Sequence, residues 1–82
     1  MNVPTVFIVQ GEKVIVESEV LATALLRLPE KRREMLFLRY FLGYSDVEMG
    51  KMFGVSRSAI FRRRKVALHL LRKEMEALQN EE

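Results

Sequence analysis

The sequence predicts a mainly α-helical domain of four helices behind a short N-terminal β-hairpin, and three observations predict it. Apolar residues recur at helical spacing from Val20 to Leu78. Ser18, Ser45 and Ser56 each stand where such a run begins, and Gly43 and Gly54 stand where one ends. Ahead of the first run, two β-branched segments flank a glycine.

The hairpin comes first. Val6-Phe7-Ile8-Val9 and Lys13-Val14-Ile15-Val16 flank Gln10-Gly11-Glu12. Two strands alone are marginal in water. They must therefore pack on the helices or pair with another chain through an open edge.

The first helix is expected to start at Ser18 as N-cap, with Glu19 in the first turn, where the helix dipole favours an anion. Val20, Leu21, Ala24, Leu25 and Leu28 form its apolar face, and Pro29 ends it. Proline suits the first turn of the next helix, about residues 29–42, because its missing N–H has no partner to lose there. That helix offers Met35, Leu36, Leu38 and Phe41 to the core and leaves Lys31, Arg32, Arg33 and Arg39 outside it. Ser45 caps a short third helix over residues 46–53, closed by Gly54. Ser56 caps the fourth, which runs to about Leu78 with apolar pairs at Ala59/Ile60, Val66/Ala67, Leu70/Leu71 and Ala77/Leu78. Residues 1–17 read as an extension, residues 18–82 as the main domain, with a helix-turn-helix at about 45–73.

Composition narrows the function. The 82 residues contain no cysteine and one histidine, so thiolate or histidine-rich metal sites and disulfides are not expected, and no cofactor is expected. Met1-Asn2-Val3-Pro4 lacks the pattern of a signal peptide, and no apolar run is long enough to span a bilayer. A cytoplasmic protein without a membrane partner is the expectation. No cysteine nucleophile, phosphate loop or His–carboxylate pair close in sequence is present, so enzyme activity is not expected.

The net charge is only +3, but it is unevenly spread. Arg57, Arg62, Arg63, Arg64, Lys65, Arg72 and Lys73 put half of the 14 basic residues into positions 56–73, with no acid among them. The four acids Glu74, Glu76, Glu81 and Glu82 follow with no base. A polyanion is the natural partner of such a segment.

The stretch from Asp46 to Ile60 has the layout of a helix-turn-helix. Gly50 lies mid-helix, where glycine costs roughly 1 kcal/mol against alanine. Close approach of the second helix would account for it. Gly54 suits a left-handed turn, and Val55 and Ile60 supply the contacts that set the angle between the helices. On the second helix of the motif, Ser58, Arg62, Lys65, His69 and Arg72 form one polar stripe opposite the core face, beside Arg57, Phe61 and Arg64. Arg57, Ser58, Phe61 and Arg62 on its first turns would point into the major groove. Arg63, Arg64 and Lys65 would flank phosphates.

Several residues carry two readings. Phe61 either contacts a thymine methyl or completes the core. His69 is a phosphate neighbour or a solvated residue. Met35, Met49, Met52 and Met75 sit at core spacing, and Tyr40 and Tyr44 at boundary positions.

Leu28-Pro29-Glu30-Lys31-Arg32-Arg33-Glu34-Met35-Leu36, then Glu48-Met49-Gly50-Lys51-Met52-Phe53, Val55-Ser56-Arg57 and Lys65-Val66-Ala67-Leu68-His69-Leu70-Leu71-Arg72, resemble the promoter-recognition region 4 of sigma-70 family factors. The resemblance covers roughly residues 20–75. It implies a last helix that reads duplex DNA for transcription regulation and a surface that docks on the β flap of RNA polymerase. By the same resemblance, Arg57, Ser58, Phe61 and Arg62 fall at base-contacting positions, and Lys31 and Ser45 at phosphate-contacting ones. Ser58 and Phe61 stand where charged base readers are usual, and no segment resembles the part of sigma that binds the −10 element. A stand-alone, sigma-like regulator of the kind carried by mobile elements is the expected subtype. The alternative is a protein-interaction module that docks on polymerase or another regulator with little DNA contact. The hairpin or the end of the last helix could also serve a homodimer.

Overall fold

The computed structural model describes residues 3–80. Strands β1 (Thr5–Val9) and β2 (Glu12–Val16) pair antiparallel, with Thr5 opposite Val16 and Val9 opposite Glu12. Gln10 and Gly11 make the two-residue turn, at φ 51° and 77°. Alternation then sorts the side chains: Val9, Val14 and Val16 are buried and Phe7 is partly so, whereas Val6, Ile8 and Ile15 face away. The ring of Phe7 lies 4.7 Å from that of Phe37. Of the two ways to stabilise an isolated hairpin, this one packs its inner face on the helical core.

Helix α1 (Glu19–Arg27) starts as expected, with the Ser18 hydroxyl accepting from the Leu21 N–H. Ala22, Ala24 and Leu25 are its buried residues. Val20, expected on the core face, is instead exposed, because Ala22 and Leu25 centre that face one residue further round. Arg33, expected outside, is half-buried and donates from Nη1 to the carbonyls of Leu25 and Leu28, at 3.4 and 3.3 Å. The Leu25 carbonyl also accepts from the Leu28 N–H at 3.2 Å, so Arg33 adds a second donor there and a side-chain donor to the Leu28 carbonyl at the end of α1.

Helix α2 (Glu30–Leu36) passes without a break into a π-helical segment, Phe37–Phe41. The Leu42 N–H donates to the Phe37 carbonyl, five residues back, at 2.9 Å. The wider turn changes which side chains meet the core. Phe37 is fully buried, while Phe41, expected inside, is half-exposed and meets the Phe37 ring edge-on at 5.3 Å.

Helix α3 (Asp46–Phe53) is closed by Gly54 in the left-handed region at φ 68°, where a side chain would be strained. Helix α4 (Arg57–Asn80) has 24 residues and spans about 36 Å. Only Ile60 and Ala67 are fully buried along it, while Leu70, Leu71 and Leu78 are partly so, and Val66 and Ala77 point to solvent. It packs on α1, α2 and α3 in turn, so one long helix joins the core to the helix-turn-helix. Met49 and Met35 are buried as expected, but Met52 is 41% exposed, on the outer side of α3. Among the described residues, no helix is long and apolar enough to cross a membrane.

Candidate nucleic-acid interface

Two backbone devices fix the angle between α3 and α4. At Gly50, a Cβ would lie 2.8 Å from the Val55 carbonyl oxygen, a contact real side chains do not make. The glycine therefore accommodates the backbone of the turn, rather than the body of the second helix as its position in the sequence suggests. The Val55 N–H donates to the Gly50 carbonyl at 3.0 Å, which ties the same two points together. The second device is a pair of caps. Ser45 and Glu48 form a reciprocal capping box, each backbone N–H donating to the other's side chain at 3.0 Å. The Ser56 hydroxyl accepts from the Ala59 N–H at the start of α4.

On this frame the first turns of α4 carry the four residues expected to face the groove. Arg57, Ser58, Phe61 and Arg62 are all exposed and line one shallow depression with Asp46 and Arg64. Phe61 is 47% exposed, so of its two readings the structure excludes completion of the core. The Arg64 guanidinium lies 5.1 Å from its ring centre and the Lys65 ammonium 5.6 Å. The stripe of Ser58, Arg62, Lys65, His69 and Arg72 is exposed along its whole length, opposite Ile60 and Ala67.

The expected phosphate contacts separate into groups. Lys31 and Arg63 come from α2 and α4 but line one groove beside Phe53. Lys65 borders the depression at Arg57 and Phe61 through the Phe61 ring. Ser45 uses both its backbone N–H and its hydroxyl oxygen in the capping box.

Arg64 has a different employment from the expected one. Its Nε and Nη2 donate to the two carboxylate oxygens of Asp46 at 3.0 and 2.9 Å, and Nη1 donates to the Tyr40 hydroxyl at 3.1 Å. Both side chains of the ion pair are largely covered, with 15% and 16% of their surface exposed. The hydrogen bonds from Arg64 hold the Asp46 carboxyl below its usual range against the opposing effect of desolvation, aided by attraction from Arg64, Arg39 and Arg57. The same bonds, to Asp46 first and Tyr40 second, raise the pKa of Arg64. Arg39 lies with Nε 3.6 Å from Asp46, and this buried Nε has no hydrogen-bond partner among the described residues. In the capping box, the Ser45 N–H lowers the pKa of Glu48.

This cluster is what the linear reading missed. Asp46 and Arg64 are 18 residues apart, Tyr40 and Arg64 24 apart, and the π-helical turn determines where Arg39 and Tyr40 point. A lone aspartate at the first position of α3 reads locally as a dipole-compensating acid. Its long-range partner leaves no local signal.

Residues 18–71 match the family model of sigma-70, region 4. The match begins at the cap of α1 and ends inside α4, so the hairpin lies outside it. No curated protein and no solved structure gives a significant match.

Proposed function

The chain belongs to the sigma-70 region 4 family, a family of DNA-binding helix-turn-helix domains in transcription, and we propose that it binds duplex DNA sequence-specifically through the N-terminal half of α4. Arg57, Ser58, Phe61 and Arg62 read base edges in the major groove. Lys31, Ser45, Arg63 and Lys65 contact phosphates and set the register. Arg64 acts from behind, holding α4 against α3 through Asp46.

The observation that carries this reading is the grouping of four exposed side chains around one depression on the first turns of a capped helix. Two of them are arginines, whose paired donors match the O6 and N7 edge of guanine, and Phe61 offers an apolar surface of the kind that meets a thymine methyl. Lys31 and Arg63, on a groove that Arg32, Glu30 and Glu34 also line, supply sequence-independent attraction to phosphate.

Selection from random duplex DNA at moderate salt, followed by sequencing, tests the reading. An enriched motif is expected. Arg62→Ala should relax preference at one position, by about 1–3 kcal/mol of discrimination, whereas Lys31→Ala should weaken all sequences alike. Equal weakening of every sequence by both variants would remove Arg62 from the set of base readers.

RNA polymerase is the second partner this family suggests, through the β flap. Crosslinking of the chain to polymerase, with and without DNA, tests that partner separately. Capture that is independent of DNA and of Arg62 would make protein docking the main role.

A further inference from the structure

The DNA-reading face uses none of the hairpin. The inner side of the hairpin belongs to the core, but its outer side is uncovered. Val6 and Ile8 on β1 face outward beside Ile15 and Lys13 on β2, with Val6 opposite Ile15 and Ile8 opposite Lys13. Val6, Ile8 and Ile15 are 53%, 66% and 59% exposed. Together they present on the order of 300 Å² of apolar surface, comparable with the largest patch on an ordinary monomer, which is often functional. Among the described residues no third strand pairs with either edge of the sheet.

The charges on this face indicate what covers it. Lys13, Ile15 and Glu17 follow one another by strand alternation, Glu17 standing just beyond β2, and all three are exposed. Along β2 the face therefore runs from positive through apolar to negative. Neither Lys13 nor Glu17 takes part in an ion pair among the described residues. A two-fold axis passing near Ile15 would set Lys13 of each copy against Glu17 of the other, with the apolar residues stacked between. Such a pattern is its own complement, as an isologous interface requires. DNA would find no comparable match on an apolar face with balanced charge.

We propose that the outer face of the hairpin is a homodimer interface in which two sheets stack face to face about a two-fold axis through Ile15. Stacked sheets lie about 10 Å apart, within reach of a lysine and a glutamate at the rim. A standard stable interface covers about 800 Å² on each partner. The apolar centre here is less than half of that, so the dimer is a weak one that depends on concentration. The hairpin packs on α1 and Phe37, which leaves the first turns of α4 free in both copies. The dimer thus presents two reading helices, but its existence does not depend on what they read.

Sedimentation equilibrium of the full chain across the micromolar range tests the proposal. The wild type should pass from monomer to dimer. Ile15→Glu should raise the dissociation constant by roughly tenfold or more, with an unchanged circular dichroism spectrum. Lys13→Glu and Glu17→Lys should each weaken the dimer, and the two together should restore it. A wild type that stays monomeric throughout overturns the proposal and assigns the face to another chain. A dimer indifferent to Ile15→Glu overturns it too, and moves the interface elsewhere, such as the end of α4. Failure of the double exchange to restore pairing overturns the two-fold arrangement.

Discussion

At one end of the molecule the hairpin, α1, α2 and the π-helical segment share one apolar core with α4, an Arg27–Glu74 ion pair lies at its rim, and among the described residues no polar or charged residue is fully buried. At the other end, Gly50 seats α3 against the turn and the Asp46 carboxylate ties α3 to α4, with Met49 and Ile60 buried beneath them. The contrast separates two tasks. Apolar burial is non-directional and holds the chain together. A fixed angle between α3 and α4 needs directional contacts, and Gly50, the capping box and the Asp46–Arg64 pair supply them. Stability and recognition should therefore respond differently to substitutions at the two ends.

The largest effect is expected at the apolar end. Phe37→Ala removes a fully buried ring that contacts both Phe7 and Phe41, and should cost about 3–5 kcal/mol in urea unfolding. A loss below about 1 kcal/mol would mean that the hairpin and the π-helical turn are not part of the same cooperative core. Gly50→Ala comes next, since the added Cβ meets a backbone oxygen at 2.8 Å that no rotamer can relieve. It should destabilise by about 1–3 kcal/mol despite the better helix propensity of alanine, and should weaken specific DNA binding more than bulk binding at low salt.

Asp46→Asn should cost about 1–2 kcal/mol, because the pair is partly covered and hydrogen-bonded at both oxygens. It should also change the acid limb of the stability curve. The carboxyl of Asp46 lies below its usual 3.8 in the fold. Between those two values the unfolded chain binds the extra proton, so the contribution is complete above the usual value and disappears as pH falls through the folded one. The asparagine variant should show a shallower loss of stability over that window. An unchanged pH profile would mean that Asp46 is not the group responsible. Ser45→Ala should cost about 1 kcal/mol through loss of the cap.

Phe61→Ala should be the mildest for the fold, within about 0.5 kcal/mol of wild type in thermal melts, since the ring is half-exposed. Its effect should appear instead in the sequences selected from random DNA. A large destabilisation would return Phe61 to a packing role.

Much of this architecture could be read along the chain. Ser18, Ser45 and Ser56 act locally on N–H groups three residues ahead, so cap and helix start are visible in the same few letters. The polar stripe on α4 was equally legible, because a helix repeats its faces every three or four residues. Where the backbone left that period, the reading slipped. The π-helical turn leaves Phe41 half-exposed and makes Phe37, which the reading had not placed, the buried ring, and neither propensity nor spacing announces an extra residue in a turn. Val20 and Met52 were misplaced for a related reason: a short helix offers several apolar faces, and only its neighbours decide which one is buried.

The sequence by itself determined the order of elements, the capped starts of three helices, the left-handed stop at Gly54 and the basic face of α4, all of which rest on interactions within one or two turns. Only the tertiary structure decided that the hairpin shares the core, that Arg33 closes α1, and that Arg64 is bound to Asp46 and Tyr40. These contacts join residues far apart in the chain. Their existence depends on where whole elements come to lie, and packing of the apolar core sets those positions.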